Sequence, residues 1–235
     1  MGINYHIYNK NSYLLEDIDD NSIDYVITSP PYNIGHEYFT YADKLSFSNF
    51  LFLYKNILRS VSRVLKTNGV LVVDIADVII MEDKIVFAAD LVDFICQQLD
   101  LTLLYMHPYI VKENTQLSTI NDLYFNRLEK QKCAHSNCEQ ILCFAKRPTK
   151  QFKTEFLKKI QFKTIYEYEC LDNNAFWPLS LVQDLLAVID IPNPIVLDPF
   201  MGSGQIGKCV LQMGGKFIGY DVDKKVLQKY EWRYE

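Results

Sequence analysis

Two short turns in this 235-residue chain gather residue types that can do chemistry. Thr28-Ser29-Pro30-Pro31-Tyr32-Asn33 follows the apolar run Tyr25-Val26-Ile27. Its two prolines remove two N–H donors and stiffen the backbone, which leaves carbonyls facing outward as fixed acceptors. Ser29 adds a hydroxyl and Tyr32 a flat aromatic face. Such a set suits an exocyclic amino group on a planar base. The acceptors hold its N–H bonds and turn the nitrogen lone pair toward an electrophile, while stacking contributes roughly 1–3 kcal/mol. A Pro-Pro pair by itself is equally a tight, proline-capped loop.

The second turn, Asp198-Pro199-Phe200-Met201-Gly202-Ser203-Gly204, follows Ile195-Val196-Leu197. Gly202-Ser203-Gly204-Gln205-Ile206-Gly207 has the G-x-G-x-x-G spacing, and Asp221 lies 19 residues past Gly202, where it can accept hydrogen bonds from ribose hydroxyls. The spacing alone fits a dinucleotide site or a plain strand–turn–helix. Asp198 separates these readings. A carboxylate at the end of the strand repels a pyrophosphate but welcomes a cationic sulfonium and an amino group. The turn is therefore wrong for NAD and right for S-adenosylmethionine (SAM).

These turns need strands to carry them. Apolar patterning predicts strands at 3–9, 24–28, 69–75, 101–111, 140–144, 194–198 and 216–221. Helical spacing predicts helices at 47–66, 85–99, 179–189 and 205–213, the first one ending at Asn68-Gly69. Gly69–Ile75 is continuously apolar, as expected of a strand buried on both faces. Strands alternating with helices indicate an α/β, mostly parallel sheet. In a doubly wound sheet, ligands bind where the strand order reverses. The strands before Ser29 and before Asp198 are thus expected to be neighbours, about 170 residues apart in the chain.

Composition bounds the partners. Hydrophobic residues make up 49 % and charged residues 23 %, which is ordinary globular usage. No apolar run approaches 18 residues, so no membrane helix is expected. The N-terminus lacks the layout of a signal peptide, and six scattered cysteines read as reduced thiols of a cytoplasmic protein. Cys133, His135 and Cys138 lack a second ligand pair, so no metal is expected. His6 and His107 read as structural. The net charge of −5 argues against nucleic acid on the usual reading. Its distribution reverses that. Residues 146–163 hold seven Lys and Arg against Glu155 alone, leaving +6 there and −11 over the rest. Lys150, Lys153, Lys158, Lys159 and Lys163 are candidate phosphate contacts, with Phe152, Phe156 and Phe162 between them.

With these residues in view, the chain resembles the beta class of DNA amino-methyltransferases, in which the catalytic motif precedes the SAM motif. Thr28 to Gly35 looks like the catalytic motif and the loop after it. Asp198 to Gly204 looks like the SAM motif, and Phe217-Ile218-Gly219-Tyr220-Asp221-Val222-Asp223 like the ribose-binding strand. Phe176-Trp177-Pro178-Leu179 resembles the segment supporting the methionine end of SAM. Glu139 to Lys146 resembles the last strand before target recognition. Where the family often has Gly-Asp near the first strand, this chain has Asn11-Ser12, with Asn11 placed to hydrogen-bond the adenine.

The resemblance implies a seven-stranded Rossmann-like methyltransferase fold in circularly permuted order. It implies one domain over 1–235, with a small basic target-recognition segment at about 147–175. Ser29, Pro30, Pro31 and Tyr32 are the implied catalytic set. Asn11, Thr28, Trp177, Pro178, Asp198, Pro199, Phe200, Gly202, Ser203, Gly204, Asp221 and Asp223 are the implied SAM set. Asn33, His36 and Tyr38 join the lysines as DNA contacts. Ser before Pro-Pro favours N4 of cytosine, with N6 of adenine as the alternative. Carbon-5 methylation is disfavoured because no Pro-Cys pair occurs. The partner is DNA; a homodimer and a paired restriction endonuclease stay open. Two other readings also remain: an NAD-dependent oxidoreductase and a SAM- or DNA-binding subunit without activity.

Overall fold

A computed structural model of the protein describes residues 4–31, 45–80, 85–112, 133–167 and 178–235. In chain order the elements are β1 (Tyr5–Tyr8), β2 (Ile23–Thr28), α1 (Phe47–Val64), β3 (Leu65–Ile80), β4 (Ile85–Val86), α2 (Phe87–Gln98), β5 (Leu101–Lys112), β6 (Cys133–Lys146), α3 (Lys150–Lys159), β7 (Ile165–Glu167), α4 (Leu179–Ala187), β8 (Ile195–Asp198), α5 (Gln205–Gln212), β9 (Lys216–Tyr220) and α6 (Lys224–Lys229). The strands form one sheet in the order β1-β9-β8-β2-β3-β6-β5-β7, with β4 paired to β3.

The expected seven strands are present, and two short ones join them to make nine among the described residues. The short ones are β4 with 2 residues and β7 with 3. Neither has enough apolar alternation to announce itself in the sequence. From β1 through β9, β8 and β2 to β3 every pairing is parallel. β6 runs antiparallel between β3 and β5, so β5 points the same way as β3.

The run Val70-Leu71-Val72-Val73 shows why a parallel sheet needs unbroken apolar strands. Leu71 and Val73 pack with Phe50, Tyr54, Leu58 and Leu91 under α1 and α2. Val70 and Val72 pack on the other face with Phe156, Leu181, Leu185 and Val210 under α3, α4 and α5. Burying each such Val or Leu stabilises by roughly 1.5–3 kcal/mol.

The first helix ends earlier than its apolar spacing predicts, at Val64 rather than Lys66. Two long cations hold its last turn. The Lys146 ammonium donates to the carbonyls of Ser62 at 2.6 Å and Leu65 at 2.8 Å and to Asn21 Oδ1 at 3.0 Å. Arg63 donates to the carbonyls of Leu14, Leu15 and Ile18. Helix-end carbonyls attract cations. The left-handed residue Asn68, φ +62°, therefore sits inside an irregular start of β3 rather than at a helix cap.

Candidate active site

β2 and β8 are parallel neighbours, with Tyr25 opposite Val196 and Val26 opposite Leu197. The pairing expected between the strands leading to Ser29 and Asp198 is thus present, at the point where the strand order reverses. Both turns emerge from the C-terminal edge of the sheet. Thr28, 1 % exposed, donates from Oγ1 to Asp198 Oδ1 at 2.8 Å. One buried hydrogen bond therefore ties the two turns together across 170 positions of sequence. Beyond Thr28, Ser29 is half-buried, Pro30 buried and Pro31 half-buried.

The glycine turn is held from several sides. The Phe200 amide donates to Asp198 Oδ1 at 3.1 Å, and the Phe200 ring lies tilted against Tyr54 of α1. The Met201 amide bonds the Tyr220 carbonyl at 3.0 Å. Asp221 takes the Gly202 amide on Oδ2 at 2.9 Å and the Asp223 amide on Oδ1 at 2.7 Å. Asp223 then caps α6 through the Lys225 amide. Gly204 is left-handed, φ +72°, and any Cβ there would overlap the Trp232 ring. Trp232 Nε1 in turn donates to the Ser203 carbonyl at 3.0 Å. Gly202 is also left-handed, φ +48°, but a Cβ on it would meet nothing within 4 Å. Its outer side is open to a ligand.

Electrostatics decide which ligand fits. Burial lifts the Asp198 carboxyl from the ordinary range to about 7; the Thr28 and Phe200 hydrogen bonds oppose the lift, and the charge of Asp221 adds to it. Burial also raises Asp221, against the hydrogen bonds from Asp223 and Gly202. Among the described residues no lysine, arginine or histidine forms an ion pair with Asp198. Two carboxylates around an open glycine turn reject a pyrophosphate and accept a cation. Each Asp221 oxygen keeps a second lone pair for a ribose hydroxyl. The residues present therefore fit SAM.

The remaining expected residues fall as follows. Pro199 is buried in the turn, and buried Pro178 is the N-cap of α4. Asn11 is exposed, accepts from the Tyr13 amide, and lines a cleft of about 420 Å³ with Lys10, Tyr13, Leu53 and Tyr220. That cleft includes neither turn, although Asn9 Nδ2 reaches the Asp221 carbonyl at 2.9 Å. Tyr32, Asn33, His36, Tyr38 and Trp177 lie outside the described residues, as do the side chains of Cys133, His135 and Cys138. The basic segment is mostly the helix α3. Within it Lys158 pairs with Glu155 and Lys159 with Asp190, while Arg147 just before it pairs with Asp100. Buried Lys146 belongs to the fold and not to a contact surface, which corrects the count of free cations.

Sequence reasoning missed two features. Trp232 arrives under Gly204 from the far end of the chain, with no local signal. The other is a cluster in which Tyr109 donates to Asp74 Oδ1 at 2.9 Å and lies against Glu139 Oε2. Burial raises the Glu139 carboxyl despite its hydrogen bonds from Tyr109 and Asp74. The one hint was Asp74 interrupting an apolar strand.

A sheet of this order, with a carboxylate-led glycine turn beside a Ser-Pro-Pro turn, defines a SAM-binding amino-methyltransferase. The DNA methylase family model for N6 and N4 methyltransferases matches residues 23–231, and the chain belongs to that family. Membership makes SAM its cofactor. The chain is 24 % identical over 244 residues to the type II methyltransferase M.HpaI of Haemophilus parainfluenzae, covering 94 % of this chain and 71 % of that protein. Among solved structures it is similar to the PvuII DNA methyltransferase (cytosine-N4-specific), with TM-score 0.70, 17 % identity and coverage of 99 % and 89 %. It is also similar to TTHA0409 of Thermus thermophilus complexed with SAM, with TM-score 0.64, 20 % identity and coverage of 96 % and 92 %. These two likenesses establish the fold. No helix among the described residues is long and apolar enough to cross a membrane.

Proposed function

We propose that the protein moves the methyl group of SAM to N4 of a cytosine flipped out of DNA. The observation that carries this reading is the buried Thr28–Asp198 hydrogen bond, which sets the amino-acceptor turn beside the cofactor turn. SAM supplies an electrophilic methyl group. The Ser29 hydroxyl and the Pro30 carbonyl accept the two amino N–H bonds, so that the nitrogen lone pair faces that methyl group. Tyr32 stacks on the base, which has to leave the duplex to reach the turn. Asp198 and Asp221 hold the cofactor, so catalysis is mainly orientation and proximity. The amino proton leaves to water.

The cytosine assignment rests on Ser29 before Pro-Pro. DNA is the macromolecular partner, and the similarity to type II methyltransferases supports a role beside a restriction endonuclease in the cytoplasm. The test is methyl transfer from labelled SAM to DNA, followed by mass spectrometry of the nucleosides. N4-methylcytosine is expected. N6-methyladenine overturns the choice of base, and no transfer to any DNA overturns the activity.

A further inference from the structure

We propose that Asp198 distinguishes the cationic methyl donor from its neutral demethylated product by giving up and taking back a proton. The inference rests on the reading that the glycine turn holds SAM.

The geometry is that of a buried acid with no counter-charge among the described residues. Asp198 is 3 % exposed, and its Oδ1 accepts both Thr28 Oγ1 and the Phe200 amide. The groups facing it are the Thr28 hydroxyl from β2, the Phe200 amide of its own turn, and Asp221 beyond β9, with Asp223 behind Asp221. None is a cation. A carboxylate in that position is costly as an ion until a positive ligand lies against it. Without one it holds a proton, and burial places the exchange at about pH 7. Donor and product differ by one positive charge at sulfur and keep the same amino and carboxylate groups. In methyl transfer the N–CH3 bond forms, the S–CH3 bond breaks, one amino proton is released and the sulfonium charge disappears. Asp198 then takes up one proton from solvent, equal in number to the one released. The ionised acid thus favours loading, and the protonated acid tolerates the neutral product.

Isothermal titration calorimetry with SAM and with S-adenosylhomocysteine, in two buffers of different ionisation enthalpy, tests this between pH 6 and 8. SAM binding is expected to release more protons than S-adenosylhomocysteine binding, because only the sulfonium charge is lost between them. The ratio of their Kd values shifts toward SAM as pH rises, by at most about tenfold per pH unit. Asp198→Asn keeps an oxygen for Thr28 and Phe200, and makes the ratio independent of pH. Thr28→Val removes a donor to the ionised form and moves the midpoint to higher pH, while Thr28→Ser restores it. A pH-independent ratio in the unaltered protein, or the same slope in Asp198→Asn, overturns the proposal. If Asp198→Asn does not fold, an unmoved midpoint in Thr28→Val overturns it instead. Failure of both ligands to bind at any pH is a different result, which removes the cofactor assignment of the turn.

Discussion

Single side chains carry most of the chemistry and some unusual costs. Asp198 is the clearest case, because its acid is raised well above the unfolded value by burial. The native state therefore holds a proton over a range where the unfolded chain has lost it. Stability falls as pH rises from about 4 to about 7 and is flat above. At the exchange rate of 1.36 kcal/mol per unit, the loss is on the order of 4 kcal/mol at most. Asp198→Asn lacks this dependence. Urea unfolding of both proteins across pH 4 to 8 is expected to show the variant gaining on the unaltered protein as pH rises. A constant difference refutes the assigned shift. Ser29 acts differently, since in this reading its hydroxyl accepts an amino N–H of the substrate. Ser29→Ala is expected to lower kcat about 10- to 100-fold, or roughly 1.4 to 2.7 kcal/mol of barrier, with SAM affinity unchanged. Equal loss of SAM binding in a calorimetric titration refutes a role confined to the acceptor.

Elements show where local and distant information part. The strand-and-turn pairs at Ile27–Ser29 and Leu197–Asp198 are legible because an apolar run stops at breaker residues within one or two positions. Their adjacency is legible too, since a doubly wound sheet puts its ligand turns at the reversal of strand order. The helix α3 is not legible. Its cations mask a sparse apolar face of Phe152 and Phe156, so it reads as a charge run. The end of α1 is not legible either, because Lys146 reaches it from β6, over 80 residues away. Trp232 and the Asp74, Tyr109 and Glu139 cluster are assembled only by tertiary contact. The α1 cap yields its own prediction. Lys146→Met leaves the Ser62 and Leu65 carbonyls without their cationic donor, at a cost of about 3 kcal/mol. Thermal or urea unfolding checks it, and a loss under 1 kcal/mol means that water replaces the ammonium.

The molecule's charge has to be read against the direction of its sheet. Both ligand turns leave the C-terminal edge of β2 and β8. The basic segment starts at the opposite edge, where the Thr149 amide bonds Asn68 Oδ1 and the Arg147 amide bonds the Asp100 carbonyl just before β5. From there α3 runs about 15 Å. The chain then reaches Lys163, whose carbonyl accepts from His107 Nε2, and pairs β7 beside Ile110–Lys112 at the far end of β5. Of the candidate lysines in the segment, Lys163 stands nearest the edge that carries the turns, and Lys150 stands farthest. Lys159 is already paired with Asp190. A duplex lying across the C-terminal edge therefore meets the end of the segment and not its beginning. Each phosphate contact contributes about 0.9 to the slope of log affinity against log salt. Lys163→Gln is expected to flatten that slope by about one such unit, and Lys150→Gln to leave it unchanged. Filter binding or fluorescence anisotropy from 50 to 200 mM salt measures both. The reverse order of effects would mean that DNA runs along α3 instead of across the turns.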